Sequence, residues 1–171
     1  MAIPTFETIT VLRETALRLT KGAKYNWSHQ GSCNCGHLAQ TATKLTHNEI
    51  HAIAIEGFGE WQDHIRDFPT VVEAEEFVDR SIELCSMTGY TIDHIVKTIL
   101  DLGFSREDIY HLEKLSNQEI LKKIPLSQRR LLQYRKREDV VLYLQTWAAM
   151  LEEEFSKSFK LEFSELQYET N

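Results

Sequence analysis

The side chains with the most chemical potential in this chain lie in the segment His29-Gln-Gly-Ser-Cys33-Asn-Cys35-Gly-His37. Two thiols and two imidazoles fall within it, just ahead of a helical pattern. Imidazoles and thiolates bind zinc and related metals, and a thiolate is also a nucleophile and a redox group. The segment therefore predicts a metal site or a reactive thiol, without distinguishing between them.

A second pair of imidazoles, His47 and His51, lies one helical turn apart. Both fall on the apolar stripe of the predicted helix, which also contains Ile50, Ala54, Phe58 and Trp61. A buried imidazole needs a hydrogen-bond partner, a charge partner or a metal. Two histidines at this spacing can ligate one ion from a single helix. The zinc-protease motif His-Glu-x-x-His is absent, because the glutamate here lies inside the pair, at position 49.

The candidate metal ligands are Cys33, Cys35, His47 and His51, and the sequence leaves zinc and iron both open as the ion. His29 is an alternative fourth ligand for the two cysteines, although one residue between cysteines is fewer than structural zinc sites usually have. A joint site requires two helix starts to meet, since ten residues of helix span about 15 Å. In the alternative interpretation, the cysteines and histidines only pack and bond to backbone carbonyls.

The segment Gly31–Cys33 at a predicted helix start resembles the nucleophile segment of papain-like and transglutaminase-like enzymes. The run 51–61 is loosely similar to the histidine-bearing strand of transglutaminase-like domains, with Asp63 as the third member. The resemblance implies nucleophilic catalysis by Cys33 or Cys35 with a histidine base. Those families carry that histidine on a β-sheet, however, and a capping box at Thr46 predicts helix here. We therefore assign the chain to neither family.

The elements that must position these residues are predicted to be helices throughout. Capping boxes, in which a hydroxyl and a carboxylate satisfy the first free amides of a helix, occur at Thr46–Glu49, Thr70–Glu73 and Ser116–Glu119. Ser105 with Asp108 predicts a fourth helix start of similar kind. Apolar periodicity predicts helices at 7–20, 34–45, 47–64, 71–87, 91–102, 106–115, 117–123, 128–136 and 138–157. The prediction is an all-α, single-domain multi-helix bundle over 1–171, with several short helices in the second half and about ten C-terminal residues open to disorder.

A basic segment, 129–137, precedes Glu138 and Asp139. One continuous helix would align its cations with Val140, Tyr143 and Trp147, which must face the core. We therefore predict a helix break near 135–137, with cations ending one helix and acids beginning the next, as the helix dipole favours.

Composition limits the classes of function. Of 171 residues, 42% are apolar and 26% charged, with a formal charge of −7, which argues against general binding to nucleic acid or to anionic membranes. No apolar run approaches the ~18 residues of a membrane span. Three cysteines, an odd number, suit a reducing compartment and predict a soluble cytoplasmic protein.

Two functions remain open, and enzymatic activity is undecided between them. One is a helical protein with a metal or thiol site in the region 33–51. The other is a non-catalytic interaction or oligomerising module. The aromatic C-terminal segment, with Phe155, Phe159 and Phe163, is the predicted surface for a homo-oligomer, and the sequence identifies no other partner.

Overall fold

A computed structural model describes residues 1–56, 61 and 91–168. Over these residues the chain forms α-helices and no β-strand, which confirms the predicted all-α fold. The helices are α1 (Phe6–Thr20), α2 (Asn34–Thr43), α3 (His47–Glu56), α4 (Ile92–Asp101), α5 (Arg106–Lys114), α6 (Gln118–Lys123), α7 (Leu126–Arg129) and α8 (Arg137–Tyr168). The helix predicted at 71–87 and nearly all of the predicted 57–64 extension of α3 lie outside the described residues.

Side-chain caps determine where most of the helices begin. The capping box predicted at Thr46 is confirmed, because Glu49 accepts from the Thr46 amide at 2.7 Å and donates its own amide to the Thr46 hydroxyl at 3.3 Å. The capping box predicted at Ser116 is wrong. Asn117 caps α6 instead, since its side-chain oxygen accepts from the amides of Glu119 and Ile120. A carboxamide oxygen reaches these amides as readily as a hydroxyl does.

The core forms mainly between α1 and α8, which make the most extensive helix pair. Large side chains from both helices are fully buried there, among them Leu12, Leu19, Tyr143, Leu144, Trp147 and Leu151. Each such side chain stabilises the fold by roughly 1.5–3 kcal/mol relative to its exposed state. Helix α2 packs against α1, α3, α4 and α5. Helix α2, which begins next to Cys33, therefore contacts helices on both sides of the gap between residues 56 and 91.

The break predicted near 135–137 is confirmed, because α8 begins at Arg137. The helix predicted at 128–136 is wrong: α7 ends at Arg129 and turns follow. Side chains stabilise these turns, since Asp139 accepts from the Gln133 amide at 2.8 Å and Arg129 donates to the Ile124 carbonyl. Helix α8 also continues to Tyr168, past the predicted end at 157. No helix in the described ranges is long and apolar enough to span a membrane.

Candidate functional site

Three imidazoles meet where the loop before α2 contacts the first turns of α3. The ring centroids of His29 and His51 are 3.8 Å apart with an interplanar angle of 25°, so these two rings stack. The centroids of His29 and His47 are 5.7 Å apart with an angle of 52°. We call His29, His47 and His51 the histidine cluster. All three side chains are partly buried, and the predicted placement of His47 and His51 on one side of α3 is confirmed by their shared neighbour.

Glycine allows the loop and α3 to approach this closely. A Cβ at Gly31 would lie 1.9 Å from the carbonyl oxygen of His47, so any larger residue would displace the start of α3. A Cβ at Gly36 would similarly lie 2.1 Å from the Gln30 carbonyl. The Trp61 indole donates to that same carbonyl at 3.0 Å. The meeting of loop and helix start, which the sequence did not favour, therefore depends on Gly31, whereas Gly36 allows the loop to fold closely onto the first turn of α2.

The histidine cluster contains polar atoms without partners. The Nδ1 atoms of His29 and His51 are buried and accept or donate no hydrogen bond. Burial, together with the neighbouring His51 and His47, lowers the pKa of His29, which favours its neutral form. The stacked rings hold their nitrogen lone pairs in nearly parallel planes and do not converge on one point. Accordingly, no group of three or more His, Cys, Asp or Glu side chains within 1–56, 61 and 91–168 is arranged to hold a metal ion.

The two cysteines of the segment bond to main-chain groups. Cys33 caps α2: its sulfur accepts from the Gly36 amide at 3.4 Å, and its thiol donates to the Gln30 carbonyl at 3.3 Å. Burial nevertheless raises the pKa of Cys33 to about 11. Cys35 is fully buried and donates to the Ile109 carbonyl at 3.4 Å, and burial raises its pKa as well. Desolvation thus outweighs the helix N-terminus, and both thiols stay protonated at neutral pH.

His37 is a buried structural histidine. Its side chain is 1% exposed. The Nε2 atom bonds to the Lys24 carbonyl at 3.1 Å and Nδ1 lies 3.5 Å from the Gln40 side-chain nitrogen. Burial, reinforced by the Arg18 charge, lowers the pKa of His37 to about 4. This imidazole is neutral near pH 7 and has a hydrogen-bond partner for each nitrogen.

Asn34 anchors the segment to the second half of the chain. Its side-chain oxygen accepts from the Tyr25 hydroxyl at 2.8 Å. Its amide donates to the carbonyls of Leu112, Glu113 and Tyr134 at 3.2, 3.0 and 3.2 Å. The side chain is fully buried, so these bonds compensate the loss of water around a polar group.

No family model matches this chain, and no curated protein or solved structure matches it either. The local resemblance of Gly31–Cys33 to thiol enzymes is therefore supported by no wider similarity. The geometry also departs from those families, since His51 lies on helix α3 and neither described thiol bonds to an imidazole. Of the four predicted ligands, the structure brings His47 and His51 together with His29, and it engages Cys33 and Cys35 elsewhere.

Proposed function

We propose that this protein binds a zinc ion through His29, His47 and His51. The observation that carries the proposal is the contact of three imidazoles from two segments, with the Nδ1 atoms of His29 and His51 buried and unpartnered. A buried polar atom without a partner costs about 1–3 kcal/mol. Coordination by a metal would remove that cost for both atoms.

The spacing of the rings suits a shared ion for one of the three pairs. With zinc–nitrogen bonds of about 2.0–2.1 Å, two imidazole ligands of a tetrahedral ion have centroids roughly 5 Å apart, near the 5.7 Å between His29 and His47. His47 and His51 have the one-turn spacing of helical ligand pairs. The stacked pair does not fit as it stands. Metal binding requires the ring of His29 or His51 to turn about its side-chain torsions.

Zinc is the preferred ion because of the ligand chemistry. Imidazole is a borderline ligand that suits zinc, copper, iron and nickel, whereas calcium and magnesium prefer oxygen. A zinc ion held by three histidines keeps one open coordination position, and such sites polarise a bound water or carbonyl. The proposed function is therefore zinc binding by a helical protein, with one coordination position of the ion open to an external ligand.

Metal analysis of the purified full chain, combined with a zinc titration by calorimetry, tests this proposal. We expect about one zinc ion per chain, with affinity reduced at least tenfold by His29→Ala, His47→Ala or His51→Ala. His94→Ala is the matched control, because His94 is exposed on α4 and its loss should leave binding unchanged.

Two further variants separate this ligand set from the set predicted from the sequence, which included Cys33 and Cys35. Cys33→Ser and Cys35→Ser should retain zinc, because both thiols are protonated and bonded to backbone groups. Loss of zinc in the cysteine variants, or equal binding by His51→Ala and His94→Ala, would show that the histidine cluster is not the site. A chain without bound metal and without zinc affinity would mean that the three imidazoles only pack.

A second candidate function, self-association, is favoured by the aromatic side chains at the end of the described surface of α8. Phe155 and Phe159 are 38% and 53% exposed, and their rings stack with centroids 6.5 Å apart. We propose that they contribute to a homo-oligomer. Light scattering during size-exclusion chromatography should then give a mass above the 19.9 kDa of one chain, reduced by Phe155→Ser/Phe159→Ser. A monomeric mass at high micromolar concentration would overturn this second candidate.

A further inference from the structure

A polar cleft lies beside the histidine cluster, between α1 and the connection from α2 to α3. Its volume is about 360 Å³, and it is lined chiefly by Glu14, Arg18, Gln40, Thr41, Lys44 and His47. Sites for small ligands start at roughly this volume. Only His47 belongs to both the cleft and the histidine cluster, so the cleft is a separate feature of the surface.

Arg18 has a half-buried charge that only neutral groups contact. Its guanidinium donates to the Thr41 hydroxyl at 3.0 Å and to the Gln40 side-chain oxygen. The third acceptor is the His37 carbonyl at 3.4 Å. No carboxylate among the described residues forms an ion pair with it. Burial lowers the pKa of Arg18, and the charge of Glu14, one turn earlier on α1, opposes that shift. A partly desolvated cation that has no direct ion pair gains from an anion placed beside it.

Lys44 adds a second cation to the cleft. It ends α2 in the left-handed conformation, with φ 62°, which carries the chain round toward α3. Its ammonium is 3.4 Å from the Glu14 carboxylate, and both side chains are largely exposed. Such a surface pair is worth little and exchanges its partner readily. An incoming anion therefore replaces Glu14 at Lys44, and at Arg18 it meets the charge of the same carboxylate but no ion pair.

We propose that this cleft binds a small organic oxyanion, a carboxylate or a phosphate, between Arg18 and Lys44. The planar guanidinium of Arg18 suits two-point binding of either group, and its Nε–H is not used in the bonds described above. Gln40 and Thr41 fix the guanidinium in place, so little side-chain entropy is lost on binding. The site needs no metal, and it stands or falls independently of zinc at the histidine cluster.

The proposal is tested by amide chemical-shift titration of the full chain, freed of metal beforehand on a chelating resin, with inorganic phosphate and with succinate as probes. We expect saturable shifts for the amides of residues 40–47. Saturation by phosphate alone identifies a phosphorylated ligand, and saturation by succinate alone identifies a carboxylate. Failure of both probes to saturate at tens of millimolar would overturn the proposal.

Variants separate the cleft from general charge effects. Arg18→Gln should weaken binding at least tenfold and Lys44→Gln about threefold, whereas Glu14→Gln should tighten it about threefold by removing the competitor for Lys44. Arg13→Gln is the matched control, because Arg13 lies on the same helix but pairs with Glu152 at 2.6 Å. If Arg18→Gln does not fold, the exposed positions 14 and 44 decide the question. Equal affinity in the Arg13, Glu14 and Lys44 variants would overturn the proposal.

Discussion

The thiols of Cys33 and Cys35 should be slow to react in the folded protein. Cys33 caps α2, where free amides favour a thiolate, but its burial raises its pKa to about 11 from an ordinary 9.0. At pH 8 the thiolate fraction then falls roughly a hundredfold, and the greater intrinsic nucleophilicity of a high-pKa sulfur recovers about tenfold. The net effect of ionisation is about a tenfold slower reaction. Lack of access to the buried sulfur slows it further.

The assay is reaction with a chromogenic disulfide reagent at pH 8, in a Cys85→Ser background because Cys85 lies outside the described residues. The two remaining thiols should react at least tenfold more slowly in the native chain than in the same chain unfolded in urea. Cys33→Ser assigns each kinetic phase to one sulfur. A native thiol that reacts as fast as the unfolded ones, and disappears in Cys33→Ser, would mean that the helix N-terminus outweighs burial and that this chain carries a reactive thiolate.

Three further predictions concern stability. Gly31→Ala should lower the free energy of unfolding by about 1–3 kcal/mol, the usual cost of overpacking, because the new methyl group meets the His47 carbonyl. A urea midpoint equal to that of the wild type would contradict the close approach. Asn34→Ala should lower the free energy of unfolding by roughly 2–4 kcal/mol, since several buried groups lose their hydrogen-bond partner. Asn117→Ala removes only a helix cap and should cost about 1 kcal/mol. Equal losses in the two variants would show that Asn34 is not an anchor. His37 has a folded-state pKa near 4, below its ordinary 6.5. Between pH 4 and pH 6.5 the unfolded chain therefore binds a proton at His37 that the folded chain does not bind, and the free energy of unfolding should fall as the pH decreases from 6.5 to 4. His37→Gln should flatten that decline in thermal melts, and an unchanged pH profile would refute the assignment.

Local signals in the sequence were sufficient for much of the fold. The capping boxes at Thr46 and Ser105 form as hydroxyl–carboxylate pairs three residues apart, because every atom they need is in the same turn. The break before Arg137 was also predictable, since one helix could not expose its cations and bury Trp147. The segment 128–136 was not predictable, because the side chain that competes for its backbone, Asp139, acts from the next helix.

The candidate site was predicted in part. Helical angles place His47 and His51 on one face, and that inference needs only the sequence. Helical angles cannot reveal that His29 stacks on His51, because this contact depends on the close backbone approach at Gly31. Nor could the spacing show that Cys35 bonds to Ile109, 74 positions away. Arg18 carried no local signal at all, since its importance arises from the cleft that α2 and α3 complete around it.

The Asn34 anchor has a consequence for the order in which the molecule folds. Its amide bonds close loops of 78, 79 and 100 residues, whereas the histidine cluster spans only residues 29–51. Contacts between distant residues form late, since the entropy of loop closure must be lost first. A truncated or still-growing chain that ends before α5 therefore contains all three histidines but lacks the carbonyls that bind the Asn34 side chain. The Asn34 bonds that anchor segment 29–37 form only when the second half has docked, which couples the candidate site to completion of the fold.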